Sequence, residues 1–209
     1  MKHRLAELDT IIFDLGEVIV DLNTRAVLEE FSRLTKTDGA GLKEVLMNTP
    51  HLFLYETGQI DDQTFASEMS REMNTSINYE DFKFGWNLMI KDIPIQRLEF
   101  INKLKETHQV LILSNTNAMH EEKFEAIMQE RIGMKMMDLA HIAYYSHHIG
   151  YRKPNHDIYE FVLAKNSLNP EKTIFLDDRE DNILAAKEVG IRTQQVMHPD
   201  QIFEILSYD

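Results

Sequence analysis

The chain reads as an α/β protein, a Rossmann-like parallel sheet of five or more strands with helices on both faces, interrupted by an all-helical insertion. Three observations predict it. Short apolar runs rich in β-branched and aromatic residues recur at 11–13, 110–113 and 173–176, with helix-like segments between them. Each run ends in a polar residue, namely Asp14, Ser114 or Asp177. From Thr24 to Ile90, by contrast, the spacing of apolar residues is helical and no buried strand stands out.

Ile11, Ile12 and Phe13 form the first strand, uninterrupted in its apolar character as a strand buried on both faces should be. It ends in Asp14, and Gly16 lets the backbone turn sharply two residues later. In open α/β sheets, the carboxyl edge of the strands is where ligands bind. In the insertion, Val27, Leu28, Phe31 and Leu34 share one helical face, as do Phe65, Met69 and Met73. Gly39 and Gly41 are expected to break the first helix from a second at 42–47. Residues 56–62 read as a turn leading to an N-cap aspartate for the helix carrying Phe65. A last helix near 80–89 holds Phe82, Trp86 and Met89. These aromatics and methionines are expected to fill a small helical core rather than to bind a cofactor.

Alternation resumes after Pro94, whose fixed φ suits a first helical turn. Ile95, Leu98, Ile101 and Leu104 stripe that helix, and the strand at 110–113 runs into Ser114-Asn115-Thr116-Asn117 and another helix. A weaker strand at 141–145 follows, then a helix opened by Lys153-Pro154-Asn155. The strand at 173–176 ends in Asp177-Asp178, and the helix from Asp181 stops at Gly190. A fifth strand at 191–196 and a closing helix at 202–206 complete the pattern. The expected organisation is a core formed by 1–20 and 93–209 with a helical domain at 21–92.

Composition narrows the partners. Of 209 residues 43% are hydrophobic, enough to bury a core, and 22 basic against 35 acidic residues give a net charge of −13 without any basic block. Nucleic acid and anionic membranes are therefore not expected partners. Without cysteine there is neither a disulfide framework nor a thiolate zinc site. The first nine residues are too polar for a signal peptide, and no apolar run reaches the roughly 20 residues a membrane span needs. The expectation is a cytoplasmic protein, a monomer or weak dimer, in which any anion site gathers its positive charge locally.

Three strand ends then present Asp14, Ser114 with Asn115, and Asp177 with Asp178, while Lys153 precedes the fourth strand. In a parallel sheet these ends line one edge. Carboxylates gathered there repel one another unless a cation joins them, and oxygen ligands suit Mg²⁺. A lysine and a hydroxyl beside free backbone N–H groups add a seat for a doubly charged anion. Together they describe a phosphate site.

The ordered motifs FDLGEVIVD at 13–21, LSNTN at 113–117, YRKP at 151–154 and FLDDREDN at 175–182 resemble those of the haloacid dehalogenase-like hydrolase superfamily. Within it, the likeness is to helical-cap phosphatases whose first motif also reads DLG, the bacterial α-glucose-1-phosphate phosphatases among them. That resemblance implies a Mg²⁺-dependent phosphatase of a small phosphorylated metabolite, such as a hexose 1-phosphate, with Asp14 as nucleophile forming an aspartyl-phosphate. It implies Mg²⁺ held by Asp14, the Gly16 carbonyl and Asp178, with Asp177 a further direct or water-mediated ligand, and Asn182 supporting that loop. Lys153, the Ser114 hydroxyl and the Asn115 N–H would bind the phosphoryl oxygens. The helical domain would close over the sheet edge about joins near Asp21 to Asn23 and Lys91 to Pro94, with Tyr55, Glu56 and Trp86 as candidate lining residues.

One departure matters: the superfamily's second aspartate, the acid and base of the reaction, falls at Gly16. Such help is typically worth about 10² to 10⁴ in rate. Either the leaving group needs little protonation, or Glu17 or His120 substitutes, or the chain binds phosphorylated ligands with little turnover. A dehalogenase of the same fold needs no Mg²⁺, and the Asp177-Asp178 pair speaks against it. His141, His147, His148 and His156 are read as solvated loop residues, since neighbours on an extended segment point to opposite faces and His147 and His148 would not share an ion.

Overall fold

The computed structural model describes residues 5–37, 39–47 and 49–206. In chain order the elements are β1 (Thr10–Phe13), β2 (Asp21–Leu22), α1 (Thr24–Thr35), α2 (Gly39–Met47), α3 (Pro50–Glu56), α4 (Asp62–Glu72), α5 (Tyr79–Asn87) and β3 (Ile90–Asp92). Then follow α6 (Ile95–Leu104), β4 (Gln109–Ser114), α7 (Ala118–Ile132), β5 (Ile142–Tyr145), α8 (Ser146–Ile149), α9 (His156–Lys165), β6 (Thr173–Asp177), α10 (Glu180–Glu188), β7 (Arg192–Gln195) and α11 (Ile202–Ile205).

Five strands form a parallel sheet in the order β5-β4-β1-β6-β7. Successive side chains of a strand face opposite sides, and the packing follows that period. Ile11, Phe13, Val110, Ile112, Ile174 and Leu176 join the layer of α6, α7 and α11, whereas Ile12, Leu111, Leu113 and Phe175 join that of α9 and α10. The chain winds outward from β1 through β4 to β5 and returns to β6 on the other side, so the direction reverses beside β1. That reversal opens a crevice at the carboxyl ends of the central strands. The pairing of Phe13 with both Ile112 and Leu176 sets those ends level.

Helices α1 to α5 pack around a separate cluster in which Phe31, Phe65, Phe82 and Trp86 meet mostly edge to face, joined by Met119 from α7. Asp61 caps α4 by accepting from the Thr64 N–H at 2.8 Å. Gly39 and Gly41 do not separate two helices: both lie inside α2. α1 ends earlier, capped by Lys36 in the left-handed conformation. The helical group joins the sheet through the antiparallel pair β2 and β3, a short ribbon at the two joins that the sequence reading left without strands. Each strand of this ribbon is held from the sheet side, Asp21 by the buried Arg97 at 2.5 Å and Asp92 by Arg131 at 2.5 Å.

Gly58, in the turn after α3, has φ +69, and a Cβ there would stand 2.2 Å from the His147 carbonyl oxygen. Both the backbone conformation and the close approach require glycine. Gly58→Ala is therefore expected to lower stability by about 1–3 kcal/mol, read as a shift in the denaturation midpoint.

Candidate active site

The site grows from three strand ends. Asp14 follows β1, its N–H donating to the Leu176 carbonyl at 2.8 Å, which fixes it against β6. Ser114 and Asp177 close β4 and β6, and all three are buried. Lys153 reaches in from the loop before α9 with 1% of its side chain exposed. Its Nζ lies 2.7 Å from Asp14 Oδ1 and 2.7 Å from Asp177 Oδ2, and donates to the Leu113 carbonyl at 2.8 Å. One ammonium thus spends its three protons on two carboxylates and a carbonyl.

Two asparagines hold this arrangement. The Asn115 side chain accepts from the Lys153 N–H at 2.9 Å and donates to the Lys153 carbonyl at 2.8 Å, clamping the lysine's backbone from both sides. Asn182 donates to both Asp177 oxygens, at 2.9 and 3.0 Å, and the Arg179 N–H donates to Oδ1 at 2.8 Å. The sequence placed Asn115 and Asn182 near the site but did not reveal the side-chain clamp, which depends on loops meeting across 38 positions of chain.

The electrostatics are those of a crowded anionic pocket. Burial pushes the Asp14 carboxyl up to about 7 despite Lys153, with Asp177 and Asp178 adding to the rise. Burial likewise pushes Asp178 up to about 6, again with Asp177 beside it. Burial opposes the charge of Lys153, but Asp14 and Asp177 outweigh it and raise its pKa. Asp14, Asp177 and Asp178 bring oxygens within 4.8 Å of one another. An all-oxygen set in which burial raises the Asp14 and Asp178 carboxyls fits a hard divalent cation.

The remaining candidates are placed as follows. A Cβ at Gly16 would meet Leu22 Cδ1 at 2.9 Å, so a leucine from the β2–β3 ribbon fills the space where a side chain would project. Glu17, with φ +53, turns its carboxylate to the Leu22 N–H, which donates to it at 3.1 Å. His120 is buried, stacked on Trp86 with 5.2 Å between ring centres. Its Nε2 faces the Trp86 carbonyl at 3.1 Å and its Nδ1 faces Asn117 Nδ2 at 3.2 Å, so both ring nitrogens are engaged. Tyr55 and Trp86 are buried in the helical cluster, Tyr55 donating to Asp62 at 2.7 Å and accepting from the Met119 N–H at 3.1 Å. Glu56 pairs with Arg152 Nε at 2.6 Å. Burial raises its pKa against the pull of Arg152, Arg179 and Lys153.

The extended reading of His147 and His148 is overturned, whereas the solvated one holds for His148, which is exposed, and not for His147. Both lie on the helical turn α8, and both approach Glu121 Oε2, at 2.8 and 3.0 Å. Neighbours on a helical turn stand about 100° apart, not opposite. His156 pairs with Glu188 at 2.7 Å, and Val110 N–H donates to His141 Nδ1 at 3.1 Å.

Burial holds His120 down at about 4, below its ordinary 6.5. The unfolded chain therefore takes up a proton here that the folded chain refuses, and stability falls as pH drops from 6.5 towards 4. Wild type should lose about 3 kcal/mol across that window through this group. His120→Gln should show a correspondingly flatter dependence in chemical denaturation followed at each pH.

Known proteins carry the same architecture. Residues 8–190 match the haloacid dehalogenase-like hydrolase family model. The chain is 26% identical over 185 residues to a D-ribitol-5-phosphate phosphatase of Bacteroides thetaiotaomicron, covering 88% of this chain and 90% of that protein. A HAD family enzyme of the same organism, solved in complex with magnesium and inorganic phosphate, superposes with a TM-score of 0.81 at 26% identity, covering 90% of this chain and 93% of that one. A predicted HAD-like hydrolase of Porphyromonas gingivalis gives 0.80 at 25% identity, covering 90% and 91%. With its family match spanning most of its length and its doubly wound sheet, the chain belongs to the haloacid dehalogenase-like hydrolases.

Proposed function

We propose that this hydrolase is a Mg²⁺-dependent phosphatase that frees inorganic phosphate from a small phosphorylated sugar or polyol, through an aspartyl-phosphate on Asp14. The observation that carries the reading is the Lys153 ammonium 2.7 Å from both Asp14 and Asp177 in a buried pocket. A cation fixed beside a nucleophilic carboxylate is what attack on a phosphate dianion needs, since anion must otherwise approach anion. The relatives are consistent with it, one named for a polyol phosphate and one crystallised with magnesium and phosphate.

Asp14, Asp178 and the Gly16 carbonyl would hold Mg²⁺, which when bound neutralises charge on the nucleophile and the phosphoryl oxygens. Asp177 already accepts from Lys153, Asn182 and the Arg179 N–H, so its part is to position the lysine. An Asp14 oxygen attacks phosphorus in line with the departing ester oxygen, and water then releases phosphate from the acyl phosphate. Lys153 opposes protonation of Asp14 and aims its carboxylate. The buried Ser114 hydroxyl, whose contact with the Asn115 carbonyl is a long 3.4 Å, is free to turn to a phosphoryl oxygen.

Protonation of the leaving oxygen is where this chain departs from the superfamily pattern. Gly16 offers no side chain, Glu17 is turned to the Leu22 N–H, and His120 is neutral and engaged on both sides. A substrate whose leaving oxygen is itself stabilised, as at the anomeric carbon of a hexose 1-phosphate, tolerates that best.

The test is phosphate release from hexose 1-phosphates, hexose 6-phosphates and pentitol 5-phosphates, with Mg²⁺ and with chelator. Wild type should hydrolyse one or a few of them only with the metal, and Asp14→Asn should fall to background. Folded wild type that releases no more phosphate than Asp14→Asn from any ester would overturn the phosphatase reading and leave a phospho-ligand binding protein. Lys153→Met should abolish release as well. It should also cost about 3–5 kcal/mol of stability by leaving two buried carboxylates facing each other, measured by denaturant titration.

A further inference from the structure

A second group of metal-ligating side chains stands apart from the Asp14 pocket. Glu121 on the first turn of α7 meets His147 and His148 on α8, and one donor atom from each lies within 4.8 Å of the others. Both Nε2 atoms converge on the same carboxylate oxygen, at 2.8 and 3.0 Å, with the imidazole centres 4.1 Å apart. Surface histidines paired to a carboxylate usually meet it singly. Here two imidazoles share one carboxylate oxygen.

The donor types select the ion. Two imidazoles and a carboxylate suit zinc and its neighbours cobalt and nickel, whereas Mg²⁺ prefers oxygen alone. Donor atoms of a tetrahedral zinc site stand about 3.3 Å apart, from bonds of about 2.0–2.1 Å. Shifts of about half an ångström would open the two nitrogen–oxygen distances, now 2.8 and 3.0 Å, to that size. His147 is 7% exposed and anchors the inner side, while His148 at 55% and Glu121 at 25% leave the outer side to water as a fourth ligand.

We propose that Glu121, His147 and His148 bind one zinc-type divalent ion, separate from the oxygen-lined pocket at Asp14. Its position gives it a structural consequence. The carbonyl of His147 is the atom against which Gly58 packs, in the turn that follows Glu56. An ion joining α7 to α8 would brace the surface on which the helical group's turn rests.

The experiment is a titration of the folded full chain with Co²⁺ in the presence of saturating Mg²⁺, followed by visible absorption, with Zn²⁺ as competitor. Wild type should show the visible bands of nitrogen-ligated Co²⁺ saturating at one equivalent and abolished by one equivalent of Zn²⁺. His148→Ala, exposed enough to keep its circular dichroism spectrum, and Glu121→Gln should each weaken binding at least tenfold. Asp178→Asn should leave the bands unchanged. Absence of the bands in folded wild type would overturn the proposal. So would bands that survive both His148→Ala and Glu121→Gln, or bands lost in Asp178→Asn, which would place the ion in the Asp14 pocket.

Discussion

The buried ammonium of Lys153 between Asp14 and Asp177 is the contact on which the rest of this molecule depends. Removing a cation and two carboxylates from water is costly, and it is repaid only where geometry and hydrogen bonding are nearly complete. Completeness here comes from several directions at once. The Leu113 carbonyl takes the third ammonium proton, Asn182 and the Arg179 N–H satisfy Asp177, and Asn115 clamps the lysine's backbone. These residues come from four separate stretches of chain, at Asp14, 113–115, Lys153 and 177–182. The parallel register of β4, β1 and β6 and the winding of α9 and α10 onto one face bring them together. The same charge cluster leaves Asp14 and Asp178 strained towards protonation, a condition that a divalent cation relieves.

The helical group is tied to that pocket more closely than a tethered lid would be. Leu22, in the ribbon that leads to it, covers the open side of Gly16, and Glu17 caps the Leu22 N–H. Glu56 reaches down to Arg152, the residue next to Lys153, while Arg152 also lies over the Phe53 ring at 4.4 Å. Any opening of the helices must therefore break an ion pair at the site itself as well as bend the ribbon. A leucine side chain stands where a side chain at Gly16 would begin, so the ribbon covers that point without supplying a proton.

Much of this was legible in the sequence, for identifiable reasons. Strands buried on both faces leave uninterrupted apolar runs, and the polar residue ending each run marks the sheet edge, so Asp14, Ser114 and Asp177 stood out. The N-cap Asp61 and the helix end at Gly190 announced themselves through local chemistry. What escaped was short or long-range. β2 and β3 have two and three residues, too few to show a period of two, and the seven residues of α3 begin at a proline that reads equally as a turn. α8 has four residues, so His147 and His148 carried no helical signature and the assumption of an extended segment inverted their geometry. The burial of His120 came from Trp86, 34 positions away, which no local pattern encodes.

In the proposed reaction Asp14, held by Lys153, attacks phosphorus and carries the phosphoryl group covalently. Acid-quenching the enzyme during turnover of whichever sugar or polyol phosphate it hydrolyses with Mg²⁺, followed by peptide mass spectrometry, addresses it directly. A phosphoryl adduct confined to the peptide containing Asp14, and absent from Lys153→Met, is the result expected. Steady hydrolysis with no adduct at any quench time, or an adduct on another residue, would contradict it.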